Sequence, residues 1–162
     1  MSQKNIKVKN DGSKFFIELH GVLDEDVNFT EVNLLDPQDI VVNFENVQSI
    51  NSCGIREWIR WLMRYGASNI TYEKCPKIIV DQINMVDGFL PNNGTVNSFF
   101  VPYYSEESGV EKQILFSFGK EFDHSNINPP TEVKGDDGSP MEMDVIENKY
   151  FKFLLKKNGK AA

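Results

Sequence analysis

The sequence predicts an α/β chain, with a mixed β-sheet flanked by helices over residues 1–92 and a β-rich C-terminal extension over residues 93–162. Three observations carry this prediction. Ile40, Val42 and Phe44 alternate with Val41, Asn43 and Glu45, the period of a strand with one strongly buried face. Ile55, Trp58, Ile59, Leu62 and Tyr65 then recur at helical spacing until Gly66 stops the run. Beyond the turn cluster Pro91-Asn92-Asn93-Gly94 the chain becomes aromatic, with Phe99, Phe100, Tyr103 and Tyr104 followed by Ile114, Leu115, Phe116 and Phe118, the pattern of β-hairpins.

The remaining elements follow in order. Lys14 to Leu19 alternates as a half-buried strand, and His20-Gly21 leads into an acidic turn at Asp24-Glu25-Asp26. Val27 to Leu35 fits neither period, and Asp36-Pro37 breaks the chain before the strand at Ile40, which Asn46-Val47 closes. A short strand at Ile70 to Tyr72 precedes Cys75-Pro76, where the proline suits a first helical position ahead of Ile79, Ile83, Val86 and Leu90. Asp123 to Ser139 is loop-like, and Asp144 to Lys157 carries Ile146, Tyr150, Phe151 and Leu154 at the spacing of a short helix. Strand, helix, strand, helix implies a sheet covered by helices.

Composition narrows the function classes. The chain has 162 residues, 40% of them hydrophobic, enough for a buried core. A net charge of -7 leaves no overall basic surface to track phosphates, so nucleic acid is not an expected partner. No apolar run approaches the roughly 20 residues of a membrane span, and the polar start is no secretory signal, so a soluble cytoplasmic protein is expected. Cys53 and Cys75 are the only cysteines, which gives no disulfide framework and no thiolate metal site.

The stretch Ile40-Val41-Val42-Asn43-Phe44-Glu45-Asn46-Val47-Gln48-Ser49-Ile50-Asn51-Ser52-Cys53-Gly54-Ile55 resembles the central signature of STAS domains, the class of anti-sigma-factor antagonists. There a buried strand runs through a loop of Asp-Ser-Ser-Gly type into an amphipathic helix, and Asn51, Ser52, Cys53 and Gly54 occupy those four places. The likeness extends more loosely over residues 12–90. It implies a non-enzymatic interaction module in bacterial signalling whose partner is another signalling protein, an anti-sigma factor or a kinase-like protein. In that family a kinase phosphorylates a serine in the loop, and the added charge breaks the interface.

Two places depart from the pattern: Asn51 stands for the usual aspartate, and Cys53 for the usual phosphoacceptor. Ser52 is the remaining candidate acceptor, at a helix start where backbone N–H groups and the helix dipole favour negative charge. Ser52 or Cys53 also suits a helix cap. A thiol there, three residues ahead of Arg56, fits redox sensing or a plain buried cysteine. Arg56, Arg60 and Arg64 form a stripe flanked by Trp61 and Met63, read as a solvated face or a contact surface, with Arg56 the foremost contact candidate.

The extension holds two units of one layout, Ser105-Glu106-Glu107-Ser108-Gly109 and Lys134-Gly135-Asp136-Asp137-Gly138, which resemble the Cys-x-x-Cys-Gly knuckles of zinc ribbons. The ligand places are Ser105, Ser108, Lys134 and Asp137, so a degenerate, metal-free ribbon is expected, with the aromatics of 99–118 replacing the metal's contribution to folding. Ordinary glycine turns are the alternative.

Catalysis has little support. A Cys53 nucleophile needs a histidine within reach, and only His20 and His124 exist. Asp24, Glu25 and Asp26 have no partner at metal-ligand spacing, and no phosphate-loop or dinucleotide motif is present. No enzyme activity, cofactor or metal is expected. Two alternatives to partner switching stand: a constitutive scaffold without a phosphoswitch, and a small-molecule or nucleotide sensor.

Overall fold

The computed structural model describes residues 2–124 and 126–155. Among them, β1 (Ser2–Gln3), β2 (Ile6–Asp11), β3 (Lys14–Leu23), β4 (Asp39–Ile50), β5 (Asn69–Glu73) and β6 (Gly94–Val96) form a six-stranded sheet in sequence order. β1 to β3 pair antiparallel, and β3 to β6 pair parallel. The parallel strands are joined through a 3-10 turn at Phe29–Glu31 and through the helices α1 (Ser52–Met63) and α2 (Lys77–Met85). A mixed sheet with crossover helices is therefore present.

Several element limits differ from expectation, each for a local reason. β2 alternates Ile6 and Val8 with Lys7 and Lys9, a short pattern that the sequence reading passes over. β3 runs on through His20 to Leu23, because register shifts after Glu18 and Gly21 carry the strand past the break in its alternation. β4 continues past Asn46-Val47 to Ile50 beside it, so His20 lies within the strand and no loop precedes Asn51. α2 ends at Met85, and Gly88, at φ 88°, turns the chain so that Phe89 enters the core.

One face of this sheet is the core. Phe15, Ile17, Leu19, Ile40, Val42, Phe44, Ile70 and Tyr72 all point into it and are buried. Trp58 of α1 packs edge-on to Phe44 at 5.8 Å, and its indole N–H donates to the Tyr72 hydroxyl at 3.0 Å, which in turn donates to the Phe89 carbonyl. Trp61, expected beside a contact surface, is buried instead: it stacks on Trp58 and donates to the Val32 carbonyl at 2.8 Å. The segment 27–35, which has no period of its own, folds over it.

The turn at Pro91–Gly94 is followed by one more strand of the first sheet, and the change of sheet falls at Asn97. β7 (Ser98–Tyr104), β8 (Glu111–Ser117), β9 (Val133–Lys134) and β10 (Pro140–Met143) form an antiparallel sheet in the order β8-β7-β10-β9. A bridge between Cys75 and Phe99 ties its first strand to the chain leaving β5. Phe99 sits at the centre of an aromatic cluster, with Phe116, Phe122, Phe151 and Phe153 at 5.2–5.9 Å. The expected terminal helix begins as α3 (Glu147–Tyr150), held to α2 by Asn84, whose amide donates to the Tyr150 carbonyl. Lys156 and Lys157 of that prediction lie outside the described residues.

Candidate functional site

The end of β4 delivers the chain directly into α1. Asn51, not Ser52 or Cys53, is the cap: its side-chain oxygen accepts from the Gly54 N–H at 2.9 Å while its backbone is extended. Its amide nitrogen donates to the Glu25 carboxylate at 3.0 Å, and its backbone N–H to the Leu23 carbonyl at 3.1 Å. A carboxylate at residue 51 would face that of Glu25 in place of this amide donor. Glu25 is a site residue that the sequence does not announce; it lies 26 positions from Asn51 and no local pattern links them.

Gly54 is required by packing rather than by its dihedral angles. A Cβ there would collide with the Leu23 carbonyl and crowd Ile50, so the missing side chain lets α1 rest on the end of β3. Ser52 and Arg56 are exposed at this corner, and Cys53 is half-buried. Two fields oppose each other at Ser52: the helix dipole attracts negative charge, and the acidic turn beside it repels it.

The arginines divide. Arg56 and Arg60 both approach Glu57 at 3.3 Å, leaving their outer edges in solvent, whereas Arg64 reaches back to the Asn33 side chain at 3.0 Å. Met63 is exposed beside them. His124 packs edge-on against Phe118 in the second half of the chain, and the His20 backbone bonds to Asn5, its N–H donating to the Asn5 carbonyl and its carbonyl accepting from the Asn5 side-chain amide. Cys75 is fully buried, and burial, with Glu73 adding to it, pushes its thiol far above the ordinary range.

The two knuckle-like units meet. β7 pairs with β10, which places the turn after Tyr104 next to the turn before Pro140. The Ser105 hydroxyl, buried, donates to Ser139 at 3.0 Å, and Ser139 donates to the Asp137 carboxylate at 2.6 Å. The Ser108 backbone N–H closes onto Ser105 at 3.2 Å. Thus Ser105, Ser108 and Asp137 share one network, while Lys134 is exposed and pairs with Glu132 at 3.4 Å. Ser139, which the knuckle pattern leaves out, is its hub. Hydrogen bonds from the Ser139 hydroxyl, then from its backbone N–H, hold the Asp137 carboxyl below its ordinary value.

A groove of about 970 Å³ lies between the ends of the two long helices, lined by Ile59, Met63, Ile83, Val86, Leu90 and Phe153 among others. Among the described residues no group of three or more His, Cys, Asp or Glu converges as a metal site, and no helix is long and apolar enough to cross a membrane. No protein-family model, curated protein or solved structure matches this chain.

Proposed function

We propose that this chain is a non-enzymatic STAS-like interaction module of bacterial signalling, which binds another signalling protein through the corner formed by Ser52 and Arg56. The observation that carries the reading is the junction itself: a half-buried strand leads into a helix that Asn51 caps and whose first residues, at the places of the signature, are exposed or half-exposed. Gly54 seats that helix, and Asn51 and Glu25 fix its direction, so the exposed side chains are presented on a rigid support.

Affinity capture from native cytosol with wild type, Ser52→Asp and Arg56→Glu is the test. An anti-sigma factor or kinase-like protein retained by wild type and lost by both variants is expected. The same partners retained by all three would sink the reading.

A second reading, the constitutive scaffold, is favoured by the acidic turn. Glu25 bonded to Asn51 puts negative charge against the residue just before Ser52, which works against a phosphoswitch there. Incubation with kinases from the same cytosol, followed by phosphopeptide mapping, separates the two: phosphate on Ser52 supports the switch. In the second half, the serine-aspartate network supports the reading of a ribbon held by hydrogen bonds in place of metal.

A further inference from the structure

The helices cover one face of the first sheet; the other face is open, and reversing the order of its strands sets opposite charges against each other. Its middle row is Lys9, Phe16, Val41 and Thr71, in register across β2 to β5. Phe16 is 41% exposed although it sits at the centre of the sheet, with the Lys14 ammonium 5.4 Å from its ring centroid. The row on one side places Lys14 next to Asp39, and the row on the other runs from Lys7 at β2 to Glu73 at β5.

We infer that this open face binds a second copy of the same chain, about a two-fold axis parallel to the strands and lying between β3 and β4. Such an axis sets β3 over the partner copy's β4, and β2 over its β5, while keeping each row level. Lys14 then faces Asp39 of the other copy, Lys7 faces Glu73, and Phe16 faces Val41, each contact made twice. Lys9 meets Thr71 and Glu18 meets Asn43, so no like charges oppose each other. An axis centred on β3 would instead stack Glu18 on Glu18 and Lys14 on Lys14; one between β2 and β3 would set Lys14 against Asp11 but leave Asp39 without Lys14, so the Lys14 and Asp39 substitutions tell these axes apart.

The face is small. Four strands about 4.8 Å apart and about five residues long at 3.3 Å each cover about 19 by 17 Å, whereas stable dimers bury about 1,600 Å² in total. The dimer is therefore weak and reversible, with the sheets about 10 Å apart and aligned.

Sedimentation of the full chain at rising concentration, to about 200 μM, where so small an interface associates, tests this. Wild type is expected to move from 18.5 kDa toward twice that mass. Lys14→Glu alone and Asp39→Lys alone each oppose like charges twice and stay monomeric, yet their equimolar mixture is complementary at both contacts and dimerises. Lys7→Glu with Glu73→Lys repeats the test with independent residues should either first variant fold poorly. A wild type that stays monomeric throughout, or a dimer that neither single substitution weakens, overturns the inference.

Discussion

The start of α1 and the paired turns of the second sheet are made of the same parts, small polar side chains and glycines at the ends of strands, but they use them in opposite ways. At the helix start, a single residue ties the polar groups together: Asn51 satisfies Gly54 and Glu25, and Ser52 and Arg56 remain exposed. At the turns, Ser105 bonds Ser139 and Ser139 bonds Asp137, a chain of hydrogen bonds running from one turn to the other. A polar cluster that satisfies itself stabilises a fold, whereas one that braces exposed neighbours leaves them available to a partner. That difference is the reason we propose binding at the first and structure at the second.

Substitutions can break this comparison. The largest effect is expected at Gly54→Ala, whose methyl group collides with backbone rather than with a mobile side chain. Overpacking of this kind costs typically 1–3 kcal/mol, and with the Leu23 carbonyl unable to yield, a loss of about 3 kcal/mol is expected in denaturant unfolding. Ser139→Ala comes next: it deprives the buried Ser105 hydroxyl of its acceptor, at about 1–2 kcal/mol, and leaves Asp137 only the backbone N–H of its two donors. A Ser139→Ala protein as stable as wild type would mean that the turns are held by their backbone alone.

Asn51→Ala is expected to cost about 1 kcal/mol, the usual worth of a cap. Asn51→Asp sharpens the point. It keeps the cap acceptor but replaces the donor to Glu25 with a second carboxylate. Its stability at neutral pH should fall below wild type and recover on mild acidification, when one of the two carboxyls protonates. Equal stability at all pH values would show that Glu25 swings away and plays no part in fixing the corner.

These sites differ in how far sequence alone exposes them. The alternation of Phe15, Ile17 and Leu19, and of Ile40, Val42 and Phe44, marks their strands because one face is buried throughout. Past the register shifts β4 changes parity, with Glu45 and Asn46 both exposed between buried Phe44 and Val47, so its alternation no longer tracks a single face, while in β3 Gly21 interrupts the apolar pattern and the strands read as ended. The corner at residues 51–56 is legible in position, since a strand pattern gives way to a helical one there. Its cap is not, because the choice among Asn51, Ser52 and Cys53 is made by Glu25 and Leu23 from elsewhere in the chain. Trp61 fails for the same reason: what covers it is the aperiodic segment 27–35. The equal layout of the two turns is visible in the sequence, but their contact depends on β7 pairing with β10, which local pattern does not encode.

The smallest expected effect concerns pH. Asp137 is exposed, and the Ser139 hydroxyl and N–H lower its carboxyl below the ordinary value of 3.8. A carboxyl depressed in the folded state adds stability above its unfolded value and loses it as pH falls through the folded one. The turns should therefore loosen below about pH 4, where Asp137 begins to protonate and ceases to be a double acceptor for Ser139. Asp137→Asn keeps an acceptor without the titration, so its stability between about pH 5 and pH 2 should fall less steeply than that of wild type. Solvent screening keeps the difference small, so it is best read by following Ser139 amide exchange in the two proteins across that range. Parallel pH profiles would mean that the carboxylate charge does not strengthen the network, and that neutral hydrogen bonds alone join the two turns.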